Sequence, residues 1–207
     1  MNVPREAASG RRRLARGTGG SAAALLFAAA LTCGFGPALA QPQRALPLAV
    51  EKNPPGDIPD SQVFVIFRSD QGYSIKAPEG WARRDRSGGV SFSDKYNALD
   101  LEVGARAVAP TVASVRAQEV AALEHGAGAV HVLSVARRAL PAGPAIVVVY
   151  QVNSAPNAVT GKAIRLENER LYIWKDGRLA TLTLSAPAGA DNADQWRLMA
   201  GSFAWRP

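Results

Sequence analysis

The side chains that could carry out covalent or metal chemistry are few in this sequence. Its only cysteine is Cys33, and its two histidines are His125 and His131. A single cysteine excludes a disulfide framework, an iron–sulfur cluster and a cysteine-based zinc site. The histidines lie six residues apart across a glycine turn, which is no recognised metal-ligand spacing, and no G-x-S-x-G sequence supplies a nucleophilic serine. The residue types therefore predict no metal site, no cofactor and no nucleophilic triad.

Two groups of acids are candidates for acid–base chemistry. Glu167 and Glu169 lie two residues apart on one face of a predicted strand, and Asp94, Asp100 and Glu102 lie near one another along the chain. A glycoside hydrolase needs two carboxyl groups that flank the bond to be cleaved. A small envelope hydrolase that uses paired carboxylates is therefore our alternative function. Solvated charges with arginine partners explain the same pattern.

A cluster of one aromatic and three basic residues predicts a binding surface instead. Trp81 is followed by Arg83, Arg84 and Arg86 in a segment that we expect to be a turn. Guanidinium groups bind carboxylates and phosphates through paired hydrogen bonds, so these residues suit an acidic or phosphate-bearing partner. A Trp81 that fills the sheet edge beside a solubilising loop is the structural alternative. We take Trp81, Arg83, Arg84 and Arg86 as candidate binding residues and expect Trp81 and Arg83 to border a concave surface.

The length and composition are those of one ordinary domain. The chain has 207 residues, of which 47% are hydrophobic, and its 19 glycines and 14 prolines are close to average usage. These values exclude collagen-like and low-complexity chains, and they leave too little sequence for two full domains.

The first forty residues have the three parts of a secretory signal peptide. Five arginines form a basic front, residues 21–31 form an uncharged apolar run, and an A-x-A sequence ends at Ala40. We predict that residues 1–40 are a signal peptide that is cleaved between Ala40 and Gln41. Two alternatives stay open, because Cys33 could be a lipidation site and residues 21–40 are long enough to remain as an uncleaved anchor.

Removal of the leader, residues 1–40, changes the net charge of the protein and therefore the kinds of partner that this charge favours. The chain carries a formal charge of +7, but five of its 24 basic residues and one of its 17 acids lie in the leader, so residues 41–207 carry +3. That charge, with no long basic run, predicts no nucleic-acid partner. We expect an exported protein of the periplasm or extracellular space, which contacts a membrane only through the leader or Cys33.

The remaining sequence divides into a proline-rich segment and one domain. Residues 41–61 contain five prolines and predict an extended tether, and residues 62–207 form the predicted domain.

Hydrophobic periodicity predicts an α+β domain with a mainly antiparallel sheet flanked by two helices. The run at 145–152 is almost entirely apolar, which predicts a central strand buried on both faces. Asp176-Gly177 between two apolar runs predicts a tight hairpin. Strands are predicted at 63–67, 72–76, 90–93, 99–107, 130–135, 145–152, 162–174 and 179–185, and helices at 111–124 and from 191 or 192 onward.

Four short sequence pieces, in order, resemble the PsbP-like and Mog1-like superfamily. Residues 72–81 read GYSIKAPEGW, a strand that runs into a P-x-G-W turn, and residues 90–94 read as the following strand that ends in Asp. The hairpin at Gly177-Arg178 and the closing helix from residue 192 to residue 205 match the same plan. The resemblance covers residues 70–206.

This resemblance implies a three-layer sandwich around an antiparallel sheet, in a family whose members generally have no enzyme activity. Photosynthetic members are extrinsic assembly subunits, nuclear relatives bind a small GTPase, and bacterial relatives are exported envelope proteins or lipoproteins. The leader favours the bacterial envelope type. The sequence thus predicts a non-catalytic binding or assembly module of the cell envelope, whose partner is an envelope protein or a small ligand.

Overall fold

A computed structural model of the chain describes residues 45–52, 55–126 and 128–206. The predicted signal peptide, its cleavage site at Ala40 and Gln41, and Cys33 lie outside these residues. The described part contains ten strands: β1 (Phe64–Ser69), β2 (Tyr73–Pro78), β3 (Ala82–Arg86), β4 (Gly89–Asp94), β5 (Asn97–Ala105), β6 (His131–Leu140), β7 (Gly143–Asn153), β8 (Arg165–Lys175), β9 (Arg178–Pro187) and β10 (Ala204–Trp205).

The helical residues form two helices. The first helix consists of α1 (Val112–Val115), a π-helical segment (Arg116–Val120) and α2 (Ala121–His125), which follow one another without a break. Thr111 begins it with a capping box, in which its side chain accepts a hydrogen bond from the Ser114 backbone N–H. The second helix is α3 (Ala193–Ser202). None of the described helices is long and apolar enough to cross a bilayer.

The strands form two antiparallel sheets. A three-stranded sheet has the order β1-β2-β10, and a seven-stranded sheet has the order β3-β4-β5-β9-β8-β7-β6. The chain therefore has the predicted α+β architecture with a mainly antiparallel sheet. Two short strands, β3 and β10, were not predicted, because neither has the apolar alternation that identifies a strand.

One face of the seven-stranded sheet carries the main core. The three-stranded sheet and α3 pack against this face and exclude water from it. Alternate residues of β5, β8 and β9 supply its branched side chains, as the two-residue period of a strand requires. The largest fully buried residues here are Tyr73, Phe203, Ile75, Leu99, Leu101, Leu171, Ile173, Leu182, Leu184 and Met199.

The first helix covers part of the opposite face and forms a second core. Its buried Val115 and Val120 pack with residues of β6, β7 and β8. Strand β7 is consequently buried on both faces, with Val147 in the main core and Val148 in the second. The predicted central position of β7 is wrong, since β9 is the central strand and β7 lies next to the β6 edge. Its continuous apolar run reflects the two covering layers.

The hairpin between β8 and β9 is where the sequence predicts it. Asp176 and Gly177 both have positive φ values, 47° and 80°, as a type I′ turn requires. Lys175 and Arg178 are the closing pair of the two strands. Glycine takes this conformation without strain, so the turn sets the register of β8 and β9.

The predicted tether differs in the structure, because its described residues are bound to the domain. We call residues 45–52 and 55–61 the N-terminal strap. The backbone N–H of Leu48 donates to Asn153 Oδ1 at 2.9 Å, and that of Ile58 donates to Asn192 Oδ1 at 2.6 Å. Ile58 itself is buried in the main core. The described residues of this segment thus lie along the domain.

Candidate binding surface

The predicted arginine cluster lies on a strand and not in a turn. Arg83, Arg84 and Arg86 belong to β3, an edge strand whose five residues are all exposed. Strand β3 pairs with β4 along its whole length, and the described chain places no strand on its other side. Charged residues on an edge strand discourage uncontrolled sheet extension, which explains why a strand here has so few apolar residues.

The alternation of β3 separates the candidate residues onto two faces of the sheet. Arg83 lies opposite Phe92, on the face of the main core. Its Nε and Nη2 atoms donate to Asp85 at 2.9 and 2.8 Å, and its guanidinium lies 4.5 Å from the centroid of the Phe67 ring. Trp81, just before β3, packs partly buried against the same core. Arg83 is thus neutralised, and Trp81 mainly fills space.

Arg86 lies on the opposite face and is also neutralised. Its Nη2 donates to Asp100 at 2.6 Å, and its Nη1 lies 3.8 Å from Glu102. Gly89 lies between Arg86 and Glu102 in the strand register. A Cβ at Gly89 would lie only 2.2 Å from the Leu101 carbonyl oxygen.

Arg84 is the member of the cluster that keeps its charge free. It is exposed and forms no ion pair with any described residue. It lines a depression of about 240 Å³ on the surface of β3 and β4, and Arg83 borders the same depression. Trp81 is not among the described residues of its lining, which are Ala82, Arg83, Arg84, Arg86, Ser91 and Ser93.

The acid pairs considered for catalysis are matched with arginines. Arg138 donates to both carboxylate oxygens of Glu169, with 2.7 Å between Nη2 and Oε2, and Glu169 is only 9% exposed. The hydrogen bond with Glu169 raises the pKa of Arg138. Arg86 donates a hydrogen bond to Asp100 and forms a longer ion pair with Glu102. Asp100, Glu102 and Glu169 therefore each lie in an ion pair with an arginine, whereas a paired-carboxylate hydrolase needs two acids that face a common substrate.

Glu167 and Glu169 line a cavity between α3 and strands β6–β8. Its volume is about 690 Å³. Trp196 and Leu140 contribute apolar surface, and Arg138 contributes the partner of Glu169. The acids share one face of β8, as predicted, but only Glu169 is held by an ion pair.

The histidines have local roles in the structure. His125 ends the first helix, and its Nδ1 lies 2.6 Å from the Ala121 carbonyl oxygen. His131 is exposed at the start of β6. Across the residues that the structure covers, no three histidine, cysteine or acidic side chains come together as a metal site would require.

One cluster of polar residues on the sheet was not predicted from the sequence. Asn168 and Arg170 of β8 lie beside Ser185 and Thr183 of β9, on the same face as Arg84. The alternation of Thr and Ser with leucines along β9 is the sequence signal for a polar face. The partners on β8 emerge only from the strand register.

Comparisons with known proteins identify the fold and not a close relative. No protein-family model matches the chain, and no curated protein matches it. The solution structure of cyanobacterial PsbP (CyanoP) from Synechocystis sp. PCC 6803 is similar with a TM-score of 0.50 and 16% sequence identity. The match covers 72% of this chain and 98% of CyanoP.

Two further solved structures match more weakly. A protein of unknown function from Pseudomonas aeruginosa has a TM-score of 0.43 and 16% identity, over 70% of this chain and 98% of that one. A protein from Bacteroides thetaiotaomicron has a TM-score of 0.41 and 10% identity, over 65% of this chain and 45% of that one. The resemblance found in the sequence is confirmed at the level of architecture: this chain has a PsbP-like fold.

Proposed function

We propose that this protein is a non-catalytic binding or assembly module that is exported to the cell envelope. The composition of residues 1–40 supports export, and the PsbP-like fold supports a role without catalysis. The arginine partners of Glu169, Asp100 and Glu102 support the same proposal, because these acids are already engaged in ion pairs within the domain.

The observation that carries this proposal is the exposed, uncompensated charge of Arg84 on an edge strand. Arg83 and Arg86 are each held by a neighbouring acid, whereas Arg84 lines an open depression and has no acid of the described chain within ion-pair distance. A guanidinium in this position can donate two hydrogen bonds to a carboxylate without first breaking an internal ion pair. The partner that it suits is an envelope protein with an acidic surface.

The experiment is crosslinking and affinity capture of the tagged full chain from its own cells, with Arg84→Glu as the test variant. Arg137→Glu is the matched control, because Arg137 is an exposed arginine of β6, at the opposite edge of the same sheet. We expect Arg84→Glu to lose a partner that the wild type and Arg137→Glu retain. Equal capture by all three proteins would refute the role of β3.

Mass measurement of the recovered chain tests export in the same experiment. Cleavage after Ala40 gives a chain that begins at Gln41, and lipidation gives a chain that begins at a modified Cys33. A full-length, cytosolic chain that begins at Met1 would refute export.

A further inference from the structure

A polar cavity lies on the same face of the seven-stranded sheet as Arg84, over the central strand. Its floor is made of hydroxyl groups from three alternate residues of β9, Thr181, Thr183 and Ser185. Its volume is about 320 Å³. We call this cavity the hydroxyl basin. Antiparallel sheets often carry polar side chains on the face that no core covers, and this basin is a concave part of such a face.

In one wall of the hydroxyl basin the charged side chains are paired with one another. It consists of Arg86, Asp100 and Glu102, and the arginine contacts both acids. The wall has one positive and two negative charges, so it gives an incoming anion no free cation.

The opposite wall carries a cation with open donors. Arg170 of β8 is half-buried, and its Nε donates to Thr183 Oγ1 at 3.0 Å. Its guanidinium lies 5.5 Å from the centroid of the Tyr150 ring, within the range of a cation–π contact. No acid of the described chain lies within ion-pair distance of Arg170, and the Tyr172 hydroxyl lies beside its guanidinium without forming a hydrogen bond of normal geometry.

Asn168 lies one step along the same face of β8 and supplies a buried donor. Its side chain is only 4% exposed, and its Oδ1 accepts a hydrogen bond from Ser185 Oγ at 2.5 Å. Its Nδ2 group has no hydrogen-bond partner among the described residues. Asn168 and Ser185 both line the basin. A buried amide without a partner is destabilising. Because Nδ2 is shielded from solvent, a ligand acceptor relieves that cost only when the side chains around Asn168 move to admit it.

We propose that the hydroxyl basin binds a small molecule through one carboxylate group, with the Arg170 Nη groups and Asn168 Nδ2 as its donors. The Nη groups form a planar fork that matches a carboxylate, and the floor hydroxyls suit a ligand whose body carries further polar groups. The volume lies at the small end of ligand cavities, which limits the ligand to a few heavy atoms beyond its carboxylate.

The charges of the basin favour a monoanion over a phosphate. Arg86 and Arg170 balance Asp100 and Glu102, and the two acids stand across the floor from the binding donors. A ligand with a single negative charge neutralises the Arg170 guanidinium. A phosphate dianion carries a second negative charge, which Asp100 and Glu102 would repel. This inference does not depend on the proposed function, since neither Arg84 nor an envelope partner enters it.

Titration of the ¹⁵N-labelled full chain with lactate tests the proposal, at constant ionic strength and pH 7. The readouts are the side-chain amide signals of Asn168 and the Nε–H signal of Arg170. We expect saturable shifts of both signals with lactate and none with its neutral methyl ester. Inorganic phosphate should bind at least about tenfold more weakly than lactate.

Two variants identify the donors. Arg170→Gln should weaken lactate binding at least about tenfold, whereas Arg137→Gln on β6 should leave it unchanged. Asn168→Asp places a carboxylate beside Arg170 with almost no change of shape, so it should abolish lactate binding in a folded chain. Absence of saturable shifts in the wild type, equal binding of the ester or phosphate, or wild-type affinity in both variants would overturn the proposal.

Discussion

Replacement of Asn192 by alanine should detach the N-terminal strap from the domain. Asn192 is 3% exposed, and its Oδ1 accepts from the Ile58 N–H at 2.6 Å while its Nδ2 donates to the Gly56 carbonyl at 3.0 Å. Alanine removes both hydrogen bonds. The Gly56 carbonyl keeps a second donor, Asn97 Nδ2 at 3.0 Å, but the buried Ile58 N–H keeps no partner among the described residues.

The expected loss follows from these two bonds. An orphaned buried N–H costs about 1–3 kcal/mol, and the lost bond to Gly56 contributes about 0.5–1.5 kcal/mol. Asn192→Ala should therefore lower the free energy of unfolding by about 2–4 kcal/mol. For a domain of this size that loss corresponds to a decrease in Tm of roughly 4–16 °C.

Urea unfolding, followed by tryptophan fluorescence, measures this change as a lower midpoint at an unchanged m-value. Asn97→Ala is the matched control, since it removes the other donor to the same Gly56 carbonyl and leaves the Ile58 bond intact; its cost should be about 1 kcal/mol. If Asn192→Ala costs no more than Asn97→Ala, the strap is not held through Ile58 and our reasoning fails.

Two further predictions concern buried polar groups on the sheet. Arg138→Met should lower the free energy of unfolding by about 2 kcal/mol, because it leaves the Glu169 carboxylate without its partner, and urea unfolding should show that adding Glu169→Leu restores most of the loss. The half-exposed Arg138 keeps this figure below that of a fully buried pair. Burial raises the pKa of Tyr172, so the folded state holds this proton more tightly than the unfolded state. Stability should consequently fall as the pH rises above about 10, and Tyr172→Phe should weaken that decline in unfolding curves measured at pH 8 and pH 10.5. An identical alkaline decline in the variant would contradict the role of Tyr172.

The parts of the fold that the sequence predicts are those with local causes. The hairpin at Asp176-Gly177 follows from the positive φ values that these two residues tolerate. The closing helix follows from apolar residues at helical spacing, and Trp196 and Met199 are buried in it as the pattern requires. These features need no information from distant parts of the chain.

The parts that the sequence does not predict depend on distant partners. Strand β3 has the residues of a surface turn, and only its pairing with β4 makes it a strand. Proline content predicts an extended strap, but its attachment requires Asn192, which lies 134 residues from Ile58. The candidate sites also depend on distant partners. Strand register places Arg83 and Arg84 on opposite faces of the sheet, and it brings Asn168 beside Ser185.

The bound strap limits how far the domain can stand from an anchor. Should Cys33 carry a lipid, the thirteen-residue span from Cys33 to Leu46 reaches at most about 45 Å when fully extended. A free segment as far as Gln62 would reach about 100 Å. Fastening the strap thus halves the radius within which an anchored domain could find a partner, and confines its search to molecules close to the same membrane.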